Sequence, residues 1–128
     1  MRRPTVKLSV LALAGALAVA GVARADDAAW LRDPAISPDA TRIAFTYRGD
    51  VWTVPAAGGR AVPLTTHDAV DTAPVWAPDG RTVAFASDRH GNLDVFVVPA
   101  DGGPERRLTF DSADERPTGF APDGAAVL

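Results

Sequence analysis

The sequence predicts an all-β protein assembled from β-propeller blades, and two observations support this prediction. A Pro-Asp turn occurs three times, at Pro38, Pro78 and Pro122, so that successive copies are 40 and 44 residues apart. Each of the first two turns precedes two apolar strands, a Gly-Gly turn and a short polar segment. A repeat of this length with four short strands is typical of a propeller blade, which buries its faces only against neighbouring blades.

Residues 1–25 have the pattern of a secretory signal peptide and are excluded from the predicted fold. A basic start precedes an apolar run over residues 8–22, and Ala23 and Ala25 fit the small-x-small pattern of a cleavage site. An uncleaved anchor is the alternative. The apolar run has 15 residues, whereas a spanning helix needs about 20. The sequence therefore predicts an exported protein, periplasmic or secreted, without a stable membrane span.

The first blade is assigned to residues 36–74, after a lead-in segment at 26–35. Large and small side chains alternate over residues 41–47, which predicts a strand with one bulky face and one face that neighbouring sheets can approach closely. The apolar run over residues 50–54 predicts a strand buried on both faces. Residues 60–64 then form a predicted outer strand whose charge protects an exposed edge.

The second blade is assigned to residues 75–117, and residues 118–128 form the truncated start of a third. A longer hairpin tip at residues 87–92 accounts for the extra four residues of the second period. The repeated turn comprises Pro38, Asp39, Pro78, Asp79, Gly80, Pro122, Asp123 and Gly124. Ala40 occupies the position of Gly80 and Gly124, so we expect a left-handed backbone at an alanine there.

Charge and cysteine content exclude several kinds of partner and of stabilisation. The first 25 residues hold four basic and no acidic residues, which leaves 9 basic and 16 acidic residues and a net charge of −7 beyond them. Nucleic acids and anionic membrane surfaces require a basic footprint, so neither is a predicted partner. The chain has no cysteine. Sheet packing, and not a disulfide framework, must stabilise the fold.

The sequence predicts no catalytic residue, because its serines and histidines lie in or beside predicted turns and loops. Ser37 and Ser87 lie beside turns or strand ends, where hydroxyl groups commonly bond to nearby backbone. A Ser-His-acid arrangement needs a serine within hydrogen-bond reach of an oriented base. The remaining candidates beyond the first 25 residues are Ser112, His67 and His90. For His67 we predict a hydrogen-bonding role in a loop.

The sequence predicts no metal site and no cofactor. The tip around His90 offers oxygen atoms at alternating positions, Asp88, Asn92 and Asp94, but lacks the closing glutamate of a calcium loop. A solvated hairpin tip is the favoured interpretation.

Two further groups of residues have a structural and a functional interpretation. Trp52 and Trp76 could line a peptide channel, but their place in apolar strands favours core packing. An acidic stretch could face a cationic substrate, although a solvated loop between blades is favoured. This stretch comprises Asp111, Asp114 and Glu115, close to Arg116.

The lead-in Leu31-Arg32-Asp33-Pro34 is followed by a repeat of the form Trp76-Ala77-Pro78-Asp79-Gly80, then Ser87-Asp88-Arg89, Gly91-Asn92 and Asp94. These segments resemble bacterial tricorn-protease homologues. The repeat is shared by tricorn, TolB and prolyl-oligopeptidase relatives. The chain departs from the family pattern at Ala77, where serine is usual, and at Ala40, where glycine is usual.

The resemblance implies a large exported serine peptidase in which propellers gate or bind peptides. Its catalytic domain would lie far along the chain, and no motif of that domain occurs in these 128 residues. The implied partners are peptides or proteins bound by the complete propeller, together with the rest of the parent chain. One alternative is a TolB-like non-enzymatic periplasmic binding propeller. Another is a short free-standing protein without activity, which would need oligomeric closure.

Overall fold

The computed structural model describes residues 30–128, which form two four-stranded antiparallel sheets. The first sheet contains β1 (Leu31–Ile36), β2 (Arg42–Tyr47), β3 (Asp50–Pro55) and β4 (Val62–Pro63) in that order. The second contains β5 (Asp71–Trp76), β6 (Thr82–Ser87), β7 (Asp94–Pro99) and β8 (Arg106–Arg107). The described residues contain no helix, so none of them forms a helix able to cross a membrane. The all-β prediction is confirmed. The predicted signal peptide, with Ala23 and Ala25, lies outside the described residues.

The first strand of each sheet begins before the blade boundary drawn from the sequence. β1 falls mostly within the segment assigned as a lead-in, and β5 crosses the boundary between residues 74 and 75. Each of these strands precedes the Pro-Asp turn and pairs with the strand after that turn. The outer strands β4 and β8 are only two residues long. Pro63 lacks the N–H group that would continue the first of these ladders.

The first strand of each sheet contains a β-bulge that the alternating pattern did not predict. The register shifts between Arg32 and Ala35 in β1, and between Thr72 and Val75 in β5. At these bulges Asp33 has φ 51° and Ala73 has φ 52°, although neither is a glycine. A proline comes directly after each of them. Proline within a strand is tolerated at a bulge, because the ladder is already interrupted there.

The bulky face of the second sheet packs on the small-residue face of the first. Phe85 and Phe96 are paired across β6 and β7, with ring centroids 5.7 Å apart in a stacked arrangement. They belong to one buried cluster with Ala44 and Val51 of the first sheet. The other members of the cluster are Leu64, Trp76, Val83, Val98 and Ala100. This large-on-small arrangement is what the sequence pattern predicts for adjacent blades.

The bulky face of the first sheet has no such cover within residues 30–128. Phe45 and Trp52, the counterparts of Phe85 and Phe96, are only half-buried, and Ile36 is 62% exposed. Consequently β3 is buried on one face only, which corrects the prediction for residues 50–54. β7 has buried residues on both faces from Asp94 to Val98, as its apolar run indicates.

Residues 118–128 begin a third unit beside the small-residue face of the second sheet. Phe120 and Val127 form an antiparallel bridge, and the Ala121 N–H donates to the Ala126 carbonyl at 2.8 Å. On the neighbouring face of β6, Ala84 and Ala86 are fully buried. The hairpin therefore repeats the first two strands of a blade.

The three Pro-Asp turns are closed by the same hydrogen bonds. In the first turn the N–H of Ala40 donates to the carbonyl of Ser37 at 2.8 Å, and the other two turns repeat this contact. The Asp39 carboxylate accepts from the backbone N–H of Thr41 at 3.1 Å. The corresponding aspartates are Asp79 and Asp123, which accept from Arg81 and Ala125. Ala40 has φ 57°, close to the 68° of Gly80 and the 72° of Gly124.

Ala40→Gly should raise the free energy of unfolding by about 0.5–1 kcal/mol, because an alanine Cβ is strained in the left-handed region. Gly80→Ala is the matched reverse change. The nearest atom to its new Cβ would be Pro38 Cδ at 3.9 Å, so only backbone strain is added. Urea denaturation monitored by tryptophan fluorescence measures both changes. Equal midpoints for the two variants would contradict the assignment of strain to this turn.

Candidate functional site

A charged cluster surrounds Arg89 within the second sheet, beside Phe96 at the interface of the two sheets. Arg89 lies in the tip between β6 and β7, and its guanidinium contacts Asp71 Oδ1 at 3.1 Å and also Glu105. Its Nε donates to Ser87 Oγ at 2.8 Å. The guanidinium carbon lies 4.4 Å from the ring centroid of Phe96. Asp71 is fully buried. The cluster therefore neutralises a buried carboxylate and fixes the tip on the sheet.

A second buried carboxylate lies beside this cluster. Asp94, at the start of β7, is fully buried and pairs with Arg107 Nη2 at 2.7 Å. Arg107 also donates through Nε to the Thr109 carbonyl at 2.7 Å and lies over the Phe110 ring. The Oδ1 atom of Asp94 has no hydrogen-bond partner within the described part of the chain. The ion pair thus anchors β8 to β7.

The electrostatics around Asp50 and Arg89 reflect burial and neighbouring charge. Burial raises the pKa of Asp50 above its ordinary value of 3.8, and the charge of Asp71 acts in the same direction. Burial alone would lower the pKa of Arg89, but its bonds to Glu105 and Asp71 outweigh this and raise the pKa. The two carboxylates thus favour the charged form of Arg89.

The carboxylate of Asp39 shows the opposite behaviour in its exposed turn. The hydroxyl of Ser37, then the backbone N–H and the hydroxyl of Thr41, lower the pKa of Asp39 from 3.8 to about 2. Because the folded-state pKa is depressed, these bonds favour the folded state above pH 3.8. Their contribution is lost as the pH falls towards 2.

Arg42 joins the two blades at the opposite end of the interface. Its guanidinium donates to the carbonyl of Gly80 at 3.0 Å and to the carbonyl of Ala100 at 3.1 Å. It also pairs with Asp101 at 2.8 Å and lies 5.0 Å from the Trp76 ring centroid. This role was not predicted from the sequence. Thr82 occupies the equivalent position in the second blade, so the repeat pattern gave no signal for it.

The serines and histidines singled out in the sequence have structural hydrogen bonds. Ser37 Oγ donates to Asp39 at 2.6 Å and accepts from the Arg42 N–H at 2.9 Å. Ser87 Oγ accepts from Arg89. His67 Nδ1 accepts from the Ala69 N–H at 3.0 Å, which confirms the predicted loop role. The Ser112 N–H bonds to the Asp111 carboxylate at 2.7 Å. No hydrogen bond joins a serine to a histidine within residues 30–128.

The side chains of Asp88 and Asn92 in the long tip bond to the backbone of neighbouring loops. Asp88 accepts from the Val70 N–H at 2.8 Å, and Asn92 donates to the carbonyls of Asp111 and Ala113 at 2.9 Å. The ring of His90 stacks on Phe96 at 6.1 Å between centroids. Residues 30–128 contain no group of three or more potential ligands able to hold a metal ion. The geometry gives this tip the role of a brace between blades.

The two tryptophans differ in environment. Trp76 is buried in the core cluster, and its Nε1 donates to the Ala35 carbonyl at 2.9 Å. Trp52 lies half-buried on the uncovered face of the first sheet, with its ring edge-on to Tyr47. The interpretation as core packing therefore holds for Trp76, whereas Trp52 is only partly buried.

The acidic stretch after β8 connects the second blade to the third unit. Asp114 Oδ1 accepts from the Leu93 N–H at 3.0 Å, and the Glu115 N–H donates to the Leu93 carbonyl at 2.7 Å. Asp111 and Asp114 are exposed. The stretch is thus an ordered connection that is fastened to the neighbouring tip.

Together the blades and their ion-paired interfaces define this chain as part of a β-propeller domain. Residues 28–128 match the family model described as the tricorn protease N-terminal beta propeller domain. The chain therefore belongs to the tricorn N-terminal propeller family.

Two named relatives share sequence with this chain. The uncharacterized peptidase YuxL of Bacillus subtilis is 39% identical over 70 residues, and the match covers 47% of this chain and 11% of the relative. Tricorn protease homolog 1 of Streptomyces coelicolor is 38% identical over 71 residues, with 56% of this chain and 6% of the relative covered. The chain thus spans only a small part of the length of either relative.

Solved structures support the fold assignment. A putative TolB from Agrobacterium tumefaciens superposes with a TM-score of 0.66 at 23% identity, covering 73% of this chain and 35% of that one. The tricorn protease superposes with a TM-score of 0.64 at 25% identity, covering 74% of this chain and 10% of that one. The resemblance to tricorn and TolB propellers expected from the sequence is confirmed.

Proposed function

We propose that this chain forms the first blades of a peptide-binding propeller in an exported tricorn-type serine peptidase. The observation that carries the proposal is the family match over residues 28–128. Two relatives named as a peptidase and as a tricorn protease homologue support it. The propeller would bind or gate peptides, while catalysis would belong to another part of the intact protein.

The hydrogen bonds of the described serines and histidines support a non-catalytic role for these blades. Ser37 and Ser87 each bond to side chains that hold turns, and His67 closes a loop. A nucleophile needs an adjacent base and donors placed for an oxyanion. We therefore expect the purified chain to show no peptidase activity on unfolded protein substrates.

A peptidase assay with a serine-directed inhibitor tests the non-catalytic role. Inhibitor-sensitive turnover that is lost on replacing Ser37, Ser87 or Ser112 by alanine would contradict it. Reading the coding sequence beyond Leu128 tests the parent activity, since the proposal requires further blades and a domain with a serine nucleophile.

The second candidate is a non-enzymatic binding propeller of the TolB kind, acting in the cell envelope. The similar superposition on TolB and tricorn structures favours it, with TM-scores of 0.66 and 0.64. The two candidates require different domains after the propeller. A coding sequence that ends with the propeller, without a peptidase domain, would establish the second candidate.

Export is a further part of the proposal. Expressed with its native start in a Gram-negative host, the protein should mature to an N-terminus at Asp26, because Ala23 and Ala25 form a small-x-small cleavage site. Intact-mass analysis of the periplasmic fraction measures this. Exported protein that retains residues 1–22 would instead indicate an uncleaved anchor. Ala25→Arg, which blocks the site, is the control and should leave the precursor uncleaved.

A further inference from the structure

A pocket lies between the outer half of the first sheet and the turn that follows β7 of the second sheet. Its volume is about 440 Å³. Val62 and Leu64 line it from the first blade, and Ala100 and Gly102 line it from the second. Two four-stranded sheets border this space, so its walls do not depend on the third unit. We call it the interblade pocket.

The lining of the interblade pocket combines apolar side chains with three charged ones. Val54 and Pro63 belong to the apolar part. Arg42 and Asp101 form an ion pair at 2.8 Å, so these two charges compensate each other. Arg60 is exposed, and its side chain forms no hydrogen bond or ion pair within residues 30–128. The positive charge of Arg60 is therefore uncompensated in the lining.

A buried hydroxyl group lines the same pocket. Thr53 in β3 is only 4% exposed, and its Oγ1 forms no hydrogen bond within the described part of the chain. The other two buried threonines differ in this respect. Thr46 Oγ1 donates to Asp33, and Thr65 Oγ1 accepts from the Val51 N–H at 2.9 Å. Because buried hydroxyls usually have a partner, the Thr53 hydroxyl is available to a molecule in the pocket.

Comparison of the repeats shows that a blade forms without these polar groups. Three polar lining residues of the first blade have counterparts of different chemistry in the second. The residues are Arg42, Thr53 and Arg60, and their counterparts are Thr82, Val97 and Pro104. Thr53 pairs with Ala44 in the first sheet as Val97 pairs with Ala84 in the second. Arg42 joins the two blades, whereas no contact within the fold accounts for the polar groups of Thr53 and Arg60.

We propose that the interblade pocket binds a short aliphatic monocarboxylate. The guanidinium of Arg60 pairs with the carboxylate, and the Thr53 hydroxyl donates a hydrogen bond to it. The aliphatic chain contacts Val54 and Val62 and is removed from water there. One uncompensated positive charge matches one negative charge, whereas a dianionic phosphate ester would keep an unpaired charge and would face Asp101. This inference stands independently of the proposed peptidase role.

Titration of the isotope-labelled 128-residue chain with hexanoate, followed by NMR, tests the proposal. We expect saturable shifts of the amide resonances of Thr53 and Val62, with a Kd of about 0.1–1 mM for so small a ligand. The amide of Asn92, in the tip between β6 and β7, should not shift. Three probes serve as controls: hexanamide lacks the charge, acetate lacks the chain, and hexyl phosphate in its dianionic form carries a second charge. Each should bind at least about tenfold more weakly than hexanoate.

Two substitutions and a matched control assign the contacts to residues. Arg60→Gln and Thr53→Val should each weaken hexanoate binding about tenfold, because each removes a charge-assisted hydrogen bond. Valine is already the counterpart of Thr53 in the second blade, so Thr53→Val should leave the urea midpoint unchanged or raise it. Arg48→Gln removes an exposed arginine at the tip between β2 and β3 and should leave binding unchanged.

The titrations also define the results that contradict the proposal. Absence of saturable shifts with hexanoate would overturn it, and so would equally tight binding of hexanamide or of acetate. Tighter binding of hexyl phosphate would assign the pocket to a dianionic ligand and would overturn it as well. Unchanged affinity in both Arg60→Gln and Thr53→Val would show that hexanoate binds elsewhere on the protein.

Discussion

Arg89→Met should lower the free energy of unfolding by about 3 kcal/mol, because it leaves a buried carboxylate without its positive partner. Asp71 is fully buried and lies 3.1 Å from the Arg89 guanidinium. Methionine retains much of the apolar contact with Phe96, so the change isolates the charge. The loss also releases Glu105 and the hydroxyl of Ser87, which Arg89 now holds. Urea denaturation monitored by tryptophan fluorescence measures the effect.

Two further variants distinguish the effect of losing the ion pair from the effect of disturbing the tip in general. Arg48→Met changes the arginine at the tip of the first blade, which is exposed and lies over Tyr47. An exposed contact of this kind contributes little, so we expect a change below about 0.5 kcal/mol. Adding Asp71→Asn to Arg89→Met should restore part of the lost stability, because the unpaired charge is removed. A double variant less stable than Arg89→Met alone would contradict this account.

Phe85→Ala should be about as damaging, lowering the free energy of unfolding by about 3–5 kcal/mol. Phe85 has no exposed surface and stacks on Phe96 at the centre of the interface between the sheets. Truncation leaves a cavity that two rigid sheets cannot close, because both are fixed by their own ladders. The same urea titration measures it, and Trp76 serves as the reporter in the affected cluster.

The matched control is Phe45→Ala, at the equivalent position of the first blade. Phe45 lies on the uncovered face and is only half-buried. We expect its truncation to lower the free energy of unfolding by about 1 kcal/mol, because the ring of Phe45 buries less apolar surface than the ring of Phe85. Equal losses at the two positions would show that the bulky face of the first sheet is covered in solution. The difference between the two losses thus measures how differently the bulky faces of the two sheets are covered.

The repeat allowed the two strands after each Pro-Asp turn, and the bulky face of the first of them, to be predicted. The alternation around Phe45 and Phe85 indicated the bulky face, and the Pro-Asp-Gly pattern placed the turns, including the strained Ala40. The prediction failed for β3, since burial on its second face needs a neighbouring sheet that residues 30–128 do not supply. The residues of a strand indicate which of its faces can be buried, whereas burial of a face also requires a neighbouring sheet that packs on it.

The ion pairs of Arg89 could not be predicted, because the partners are distant in sequence and differ between the repeats. Arg89 meets Asp71, 18 residues earlier, and Glu105, 16 residues later. The equivalents of these two acids in the first blade are Leu31 and Ala61, so comparison of the repeats gave no sign of an ion pair. The bulge at Ala73 was equally hidden, since alanine does not favour positive φ.

Each sheet is built from four strands that are contiguous in the chain, with no strand exchanged between neighbours. A gene duplication of one whole unit would therefore carry its complete ladder and both complementary faces into the new copy. The inserted copy would meet a small-residue face on one side and a bulky face on the other, just as its parent does. Lineages descended from such a gene could change the number of units by unequal recombination, without first evolving new contacts to join them.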